Sequence, residues 1–144
     1  MQQIRDLVKE DPQAIWLVAD MAYPATNIPA MAGADCLNTT QTYPQKTRWE
    51  MLDPEGEYED IYNRYCHIRA SLGSKTMLEL VSTDYVEVTL SPEDLKKLNI
   101  RYIVSTNDFD EKIAAGKNNI FTDSGIEFQK YYEGTQLSIY GCVY

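Results

Sequence analysis

The segment Ser91 to Ser105, SPEDLKKLNIRYIVS, constrains the fold more than any other, because it specifies a short helix and a buried strand in immediate succession. Ser91 can accept a first-turn N–H, Pro92 suits the first helical position, and Glu93 and Asp94 favour the positive end of the helix dipole. Leu95 and Leu98 form its apolar face and Asn99 ends it. Ile100, Tyr102, Ile103 and Val104 then read as a strand, closed by the polar break Ser105-Thr106-Asn107-Asp108. This is one helix-to-strand step of an α/β layer fold, and it does not by itself specify a reaction.

The rest of the chain fits around that step. Ile4, Leu7 and Val8 form a one-sided stripe on a helix over Gln3 to Glu10, stopped by Asp11-Pro12. Ala14 to Ala19 is continuously apolar, the pattern of a central strand covered on both faces. Met21 to Thr42 has no sustained period and reads as a long loop with one helical turn at Ile28 to Ala32. Long loops in small domains tend to be functional, which makes this one the first candidate for a site. Gln45 to Leu52 reads as a short helix with Trp49 and Leu52 on one side, closed by Asp53-Pro54.

Glu55 to Leu72 carries the most regular helical spacing in the chain. Tyr58, Ile61, Tyr65, Ile68 and Leu72 recur at intervals of three and four, Gly73 is placed for a left-handed stop, and Asn63, Arg64 and His67 fall on the opposite face. Thr76 to Leu80 and Tyr85 to Leu90 predict a hairpin or one bent strand. Asn107 to Ala115 predicts a helix closed by Gly116-Lys117-Asn118-Asn119. Ile126 to Tyr132 and Gln136 to Tyr144 alternate about Glu133-Gly134-Thr135, as a terminal hairpin does. The expected architecture is a single α/β domain over residues 1–144, with a mixed sheet, packed helices and the hairpin at an edge. Ile15 to Ala19 and Ile100 to Val104 are its inner strands.

Charge and motif content narrow the function. A net charge of −9 excludes a nucleic-acid partner, which would require a basic surface to replace released counterions. No stretch approaches the ~18 apolar residues of a membrane span, and residues 1–6 lack a signal-peptide core, so the chain as given is expected to be soluble. Cys36, Cys66 and Cys142 are widely spaced with no CxxC or Cys/His cluster, which implies neither a structural zinc site nor a dense disulfide framework; at most one pair could form, and buried free thiols are the expected state. Phosphate-binding glycine loops and nucleophile elbows are absent, so no nucleotide cofactor is expected. The acidic run Asp53-Pro54-Glu55-Gly56-Glu57-Tyr58-Glu59-Asp60 fails the EF-hand pattern because Gly56 comes too early, and reads as a solvated helix start without metal.

Two readings of the polar residues stay open. In the first, His67 is an ordinary surface or half-buried histidine bonded to a neighbouring loop. In the second, Asn63, Arg64 and His67 form one face turned to the Met21–Thr42 loop and bind a polar ligand or a partner together with Asn27, Asn38 and Tyr43. Flat amides and aromatic rings pair with hydroxyls and sugar faces, although the same residues are common turn formers.

A family resemblance bears on this choice. The series Asn27-x-Pro29, Gly33, Asn38, Tyr43-Pro44, Trp49, Asp53-Pro54, Tyr58 and Tyr62-Asn63-Arg64-Tyr65-Cys66-His67-Ile68, followed by Leu95-x-x-Leu98-x-Ile100-x-Tyr102-Ile103-Val104-Ser105, resembles the C-terminal soluble region of bacterial polytopic membrane proteins. These are GT-C-like glycosyltransferases that use lipid-linked sugars, and related membrane proteins. The resemblance implies a domain on the outer face of the cytoplasmic membrane, partnered by the transmembrane part of its own parent chain, with the catalytic acid elsewhere in that parent. On this reading the domain is a non-catalytic accessory that helps to bind or position a glycan or glycolipid. The alternatives are a small stand-alone enzyme using Arg64 and His67, and a protein–protein interaction module.

Overall fold

The computed structural model describes residues 1–106, 108–113 and 124–144. The stripe of Ile4, Leu7 and Val8 lies on α1 (Gln2–Glu10), and the apolar run after it forms β1 (Ile15–Val18). The long loop then makes a 3-10 turn at Ala25–Asn27, a one-turn helix α2 (Ile28–Met31) and a two-residue strand β2 (Asp35–Cys36). Helices α3 (Lys46–Leu52) and α4 (Glu59–Tyr62) lead into β3 (His67–Leu72), β4 (Met77–Ser82) and β5 (Tyr85–Leu90). The chain closes with α5 (Pro92–Lys97), β6 (Ile100–Ser105), α6 (Phe109–Ile113), β7 (Glu127–Glu133) and β8 (Ser138–Val143). The helix expected over Asn107 to Ala115 is seen as α6, while Asn107, Ala114, Ala115 and the expected stop at Gly116 to Asn119 lie outside the described residues.

Two mixed sheets form one α/β domain. The larger has the order β2-β1-β6-β8-β7, with β2, β1 and β6 parallel and the terminal hairpin β7–β8 antiparallel at one edge. Side chains of β1 alternate between two apolar layers. Trp16 and Val18 pack with Ile4, Tyr102 and Ile139, whereas Leu17 and Ala19 pack with Leu90, Leu95, Ile100 and Ile103. Both faces of β1 are therefore covered, which is why its sequence lacks polar alternation.

The step from α5 to β6 is built as its sequence specifies. The Ser91 hydroxyl accepts the Asp94 N–H at 3.2 Å, and an Asp94 carboxylate oxygen accepts the Ser91 N–H at 2.8 Å, closing a capping box. Asn99 takes the left-handed conformation, φ 53°, just past the helix end.

The expected helix over Glu55 to Leu72 is the main correction. Only Glu59–Tyr62 is helical, and residues from His67 onward form β3, the edge of a second sheet ordered β3-β5-β4. Ile68 and Leu72 satisfy a helical spacing and a strand spacing alike, since four residues are one helical turn or two strand repeats. In the fold Ile68, Ala70 and Leu72 are buried while His67, Arg69 and Ser71 are half-buried, a period of two. Gly73 ends a strand rather than a helix: a Cβ there would meet the Thr89 methyl at 2.6 Å.

The sheets join at the end of β1. The Ala19 N–H donates to Val104 in the large sheet at 2.8 Å, and the next N–H, that of Asp20, donates to Ala70 in the small one at 2.8 Å. Asp20 sits at φ 61°, which turns the chain out into the long loop at this junction.

Candidate functional site

The loop from Leu37 to Gln45 is fixed to the two sheets by side chains that act in place of backbone. Past the end of β2, Asn38 continues the edge. Its Oδ1 accepts the Val18 N–H at 2.9 Å, and its Nδ2 donates to the Val18 carbonyl at 2.8 Å and to Ile68 at 3.4 Å. Asn38 is wholly buried, so its amide is committed to the fold.

Gln41 does the equivalent on the other side. Its backbone exchanges hydrogen bonds with Cys66, its Nε2 donates to the carbonyls of Tyr62 and Arg64 at 2.8 Å each, and its Oε1 accepts the Trp49 indole N–H at 2.7 Å. Trp49 in turn stacks on Tyr62, ring centroids 4.7 Å apart and 3° from parallel.

Held in this way, the loop roofs a cavity of about 280 Å³ against the inner face of the small sheet. Leu52, Ile68 and Val88 make its floor with Leu37 and Trp49, while Thr40, Thr42, Tyr43 and Arg48 supply polar groups around it. Tyr43 is 82% exposed and stands at the rim. Arg48 pairs through Nη2 with Asp35, and its Nη1 is buried without a hydrogen-bond partner. The space is nearly twice the ~150 Å³ of an apolar cavity that takes up benzene. An apolar floor with a few convergent polar groups is the usual composition of a small-molecule site.

A second cluster adjoins the first through Thr40. Asn27 Oδ1 accepts the Thr39 hydroxyl and the Thr40 N–H at 2.8 Å each, and its Nδ2 donates to Thr40 Oγ1 at 3.0 Å. Thr40 Oγ1 lies 3.0 Å from His67 Nδ1. The imidazole lies against Tyr23 at 4.0 Å between centroids, tilted 31°, and meets Tyr65 edge-on at 5.7 Å, and both tyrosines are about half exposed.

The structure thus brings Asn27, His67 and Tyr43 to the same loop, with Asn38 buried beneath it as a clamp. Asn63 and Arg64 are directed elsewhere, because no helix runs from Asn63 to His67. The Arg64 guanidinium donates to the carbonyls of Asp60 and Ile61, at the end of α4, and of Thr83 in the β4–β5 turn. Asn63 borders a separate depression with Glu50, Asp53, Glu55 and Glu59. There the Asp53 carboxylate accepts the N–H groups of Glu57 and Tyr58 at 3.0 and 2.8 Å, and among the described residues no three acidic, His or Cys side chains are grouped to hold a metal.

All three thiols are free and buried. Burial pushes Cys36 and Cys142 up to about 12 and Cys66 up to about 11, which keeps each protonated at neutral pH. Sequence reasoning missed Gln41, Trp49 and Arg48 as builders of the site. The only available signal was the apolar–polar mixture of a loop too long to be a plain connection.

Fold and site together define a single α/β domain with an amphipathic cavity beneath an ordered loop. The chain belongs to a family described as a domain of unknown function, DUF7654, whose profile matches residues 1–144. No curated protein and no solved structure matches it. No described helix is long and apolar enough to cross a membrane.

Proposed function

We propose that this is a non-catalytic binding domain that holds a glycan or glycolipid as the accessory part of a glycosyltransferase-like membrane protein. Its place on this reading is the outer face of the bacterial cytoplasmic membrane, beside the transmembrane part of its own chain. The binding half of the reading rests on one observation, the apolar cavity rimmed by Thr40, Thr42 and Tyr43 with Arg48 in its wall. An amphiphile suits that division: an alkyl portion against Leu52, Ile68 and Val88, and a hydroxylated head against the threonines and the exposed Tyr43 ring. The membrane half rests on the resemblance carried by the series from Asn27 to Ser105.

The alternative of an enzyme built on Arg64 and His67 assumed that the two share a helix face. That geometry is absent, since Arg64 is engaged by three carbonyls and His67 opens a strand.

Amide NMR of the chain, titrated with octyl glucoside below its micelle concentration and separately with methyl glucoside, tests the binding. Saturable shifts at Thr40, Thr42, Tyr43 and Ile68 with octyl glucoside, weakened by Tyr43→Ala, are expected. The absence of shifts at these residues with either sugar would overturn it.

A further inference from the structure

The small sheet ends in an open strand edge. β4 pairs with β5 on one side only, and among the described residues no backbone hydrogen bond leaves its other side. Every residue of β4 except Leu78 is exposed. Other strand edges are guarded: β2 is two residues long, β7 carries Lys130 and a register shift, and the outer side of β3 is bridged by Ala19 and Gln41 with its neighbour Cys66. β4 has its own register shift only after Leu80, so Met77 to Leu80 remain a regular, unpaired edge.

A row of charges crosses the outer face of this sheet and stops at that edge. Arg69 of β3 is in register with Glu87 of β5, and Glu87 with Glu79 of β4. Arg69 and Glu87 approach to 3.9 Å, whereas Glu79 faces only the like-charged Glu87. Like charges directly opposite destabilise a sheet. The row therefore reads plus, minus, minus, and a cation on the next strand would balance it. Exposed Met77 and Val81 flank Glu79 along β4.

We propose that β4 is a docking edge for an extended segment of another protein, one carrying Lys or Arg with an apolar residue two positions to either side, on the same face. The segment adds a fourth strand, its backbone satisfying the free edge, its cation pairing with Glu79 and its apolar residues covering Met77 and Val81. A second copy of this chain is a poor occupant, because pairing β4 with itself brings two Glu79 carboxylates close together between partners of net charge −9 each. The site is independent of the cavity, since Glu79 points away from the face that carries Ile68 and Val88.

The test is amide NMR of the chain with two blocked peptides, Val-Thr-Lys-Thr-Val and Val-Thr-Glu-Thr-Val, whose valines stand two residues from the central charge and so share its face. The lysine peptide is expected to shift the amides of residues 77–80 in the millimolar range, with the glutamate peptide weaker by roughly threefold. Glu79 is exposed, so Glu79→Lys leaves the fold intact and is expected to invert the preference. Equal binding of both peptides, binding of neither, or no inversion would overturn the proposal. A concentration-dependent dimer of the chain alone, with residues 77–80 protected from exchange, would assign the edge to a second copy and overturn it too.

Discussion

The indole N–H of Trp49 donates to the side-chain oxygen of Gln41 at 2.7 Å, and through this bond the cavity roof is tied to α3. The same amide satisfies the carbonyls of Tyr62 and Arg64, so one buried side chain serves three partners. Gln41→Leu fills the same volume but leaves the Trp49 indole N–H and the Arg64 carbonyl unpaired, while the Tyr62 carbonyl keeps the Arg64 N–H at 2.9 Å. Leaving buried polar groups unpaired costs about 1–3 kcal/mol each where water cannot reach them, so a loss of roughly 3 kcal/mol is expected. Urea denaturation checks this; a midpoint unchanged from the parent chain would show the bonds to be dispensable.

Asp94 accepts from the Ser91 N–H and from the Thr76 hydroxyl while almost fully buried, so it joins the start of α5 to the segment before β4. Ser91→Ala should cost about 1 kcal/mol, the usual worth of an N-cap. Asp94→Ala should cost more, and the double variant less than the sum, because the two side chains share one capping box. Thermal unfolding of the three variants gives the coupling directly.

Lys130 bonds to Asp110 and holds that carboxyl below its ordinary range, with a further contribution from the Tyr140 hydroxyl. A carboxyl depressed in the folded state binds its proton more readily when unfolded. Its stabilising contribution is therefore complete above the unfolded carboxyl value, and disappears as pH falls through the folded one. Lys130→Met should lower the urea midpoint at neutral pH, and the gap from the parent chain should close in strong acid. A gap that persists unchanged in acid would exclude the ion pair as its source.

Each thiol is both buried and raised, to about 12 for Cys36 and Cys142 and about 11 for Cys66. Ellman's reagent at mildly alkaline pH should label none of them in the folded chain and all three in denaturant. Rapid labelling of Cys66 without denaturant would mean that the Gln41–Cys66 pairing opens readily.

Most of the large sheet was legible because local and global demands agree there. β1 is apolar on every residue and is buried on both faces, and Ser91, Pro92 and Asn99 each sit at the helix position they favour. The small sheet was not legible from β3, where Ile68 and Leu72 fit either period and the tyrosines before them extended the helical pattern past the turn at Asn63 and Arg64. The site was half legible. Asn27, Tyr43 and His67 stood out as polar or aromatic residues at or near a long loop, whereas Asn38 and Gln41 look like solvent-facing loop amides in sequence. Only the three-dimensional neighbours, an unfinished strand edge and a lone indole N–H, make them interior.

The successive N–H groups of Ala19 and Asp20, one given to each sheet, act as a rivet between the two. Neither sheet can shear away without breaking a bond that the other keeps in place, so the pair should melt as one cooperative unit. Whatever tightens the small sheet, whether in the cavity or along β4, is felt as slower exchange of the Ala19 amide, which the rivet gives to the Val104 carbonyl of the large sheet.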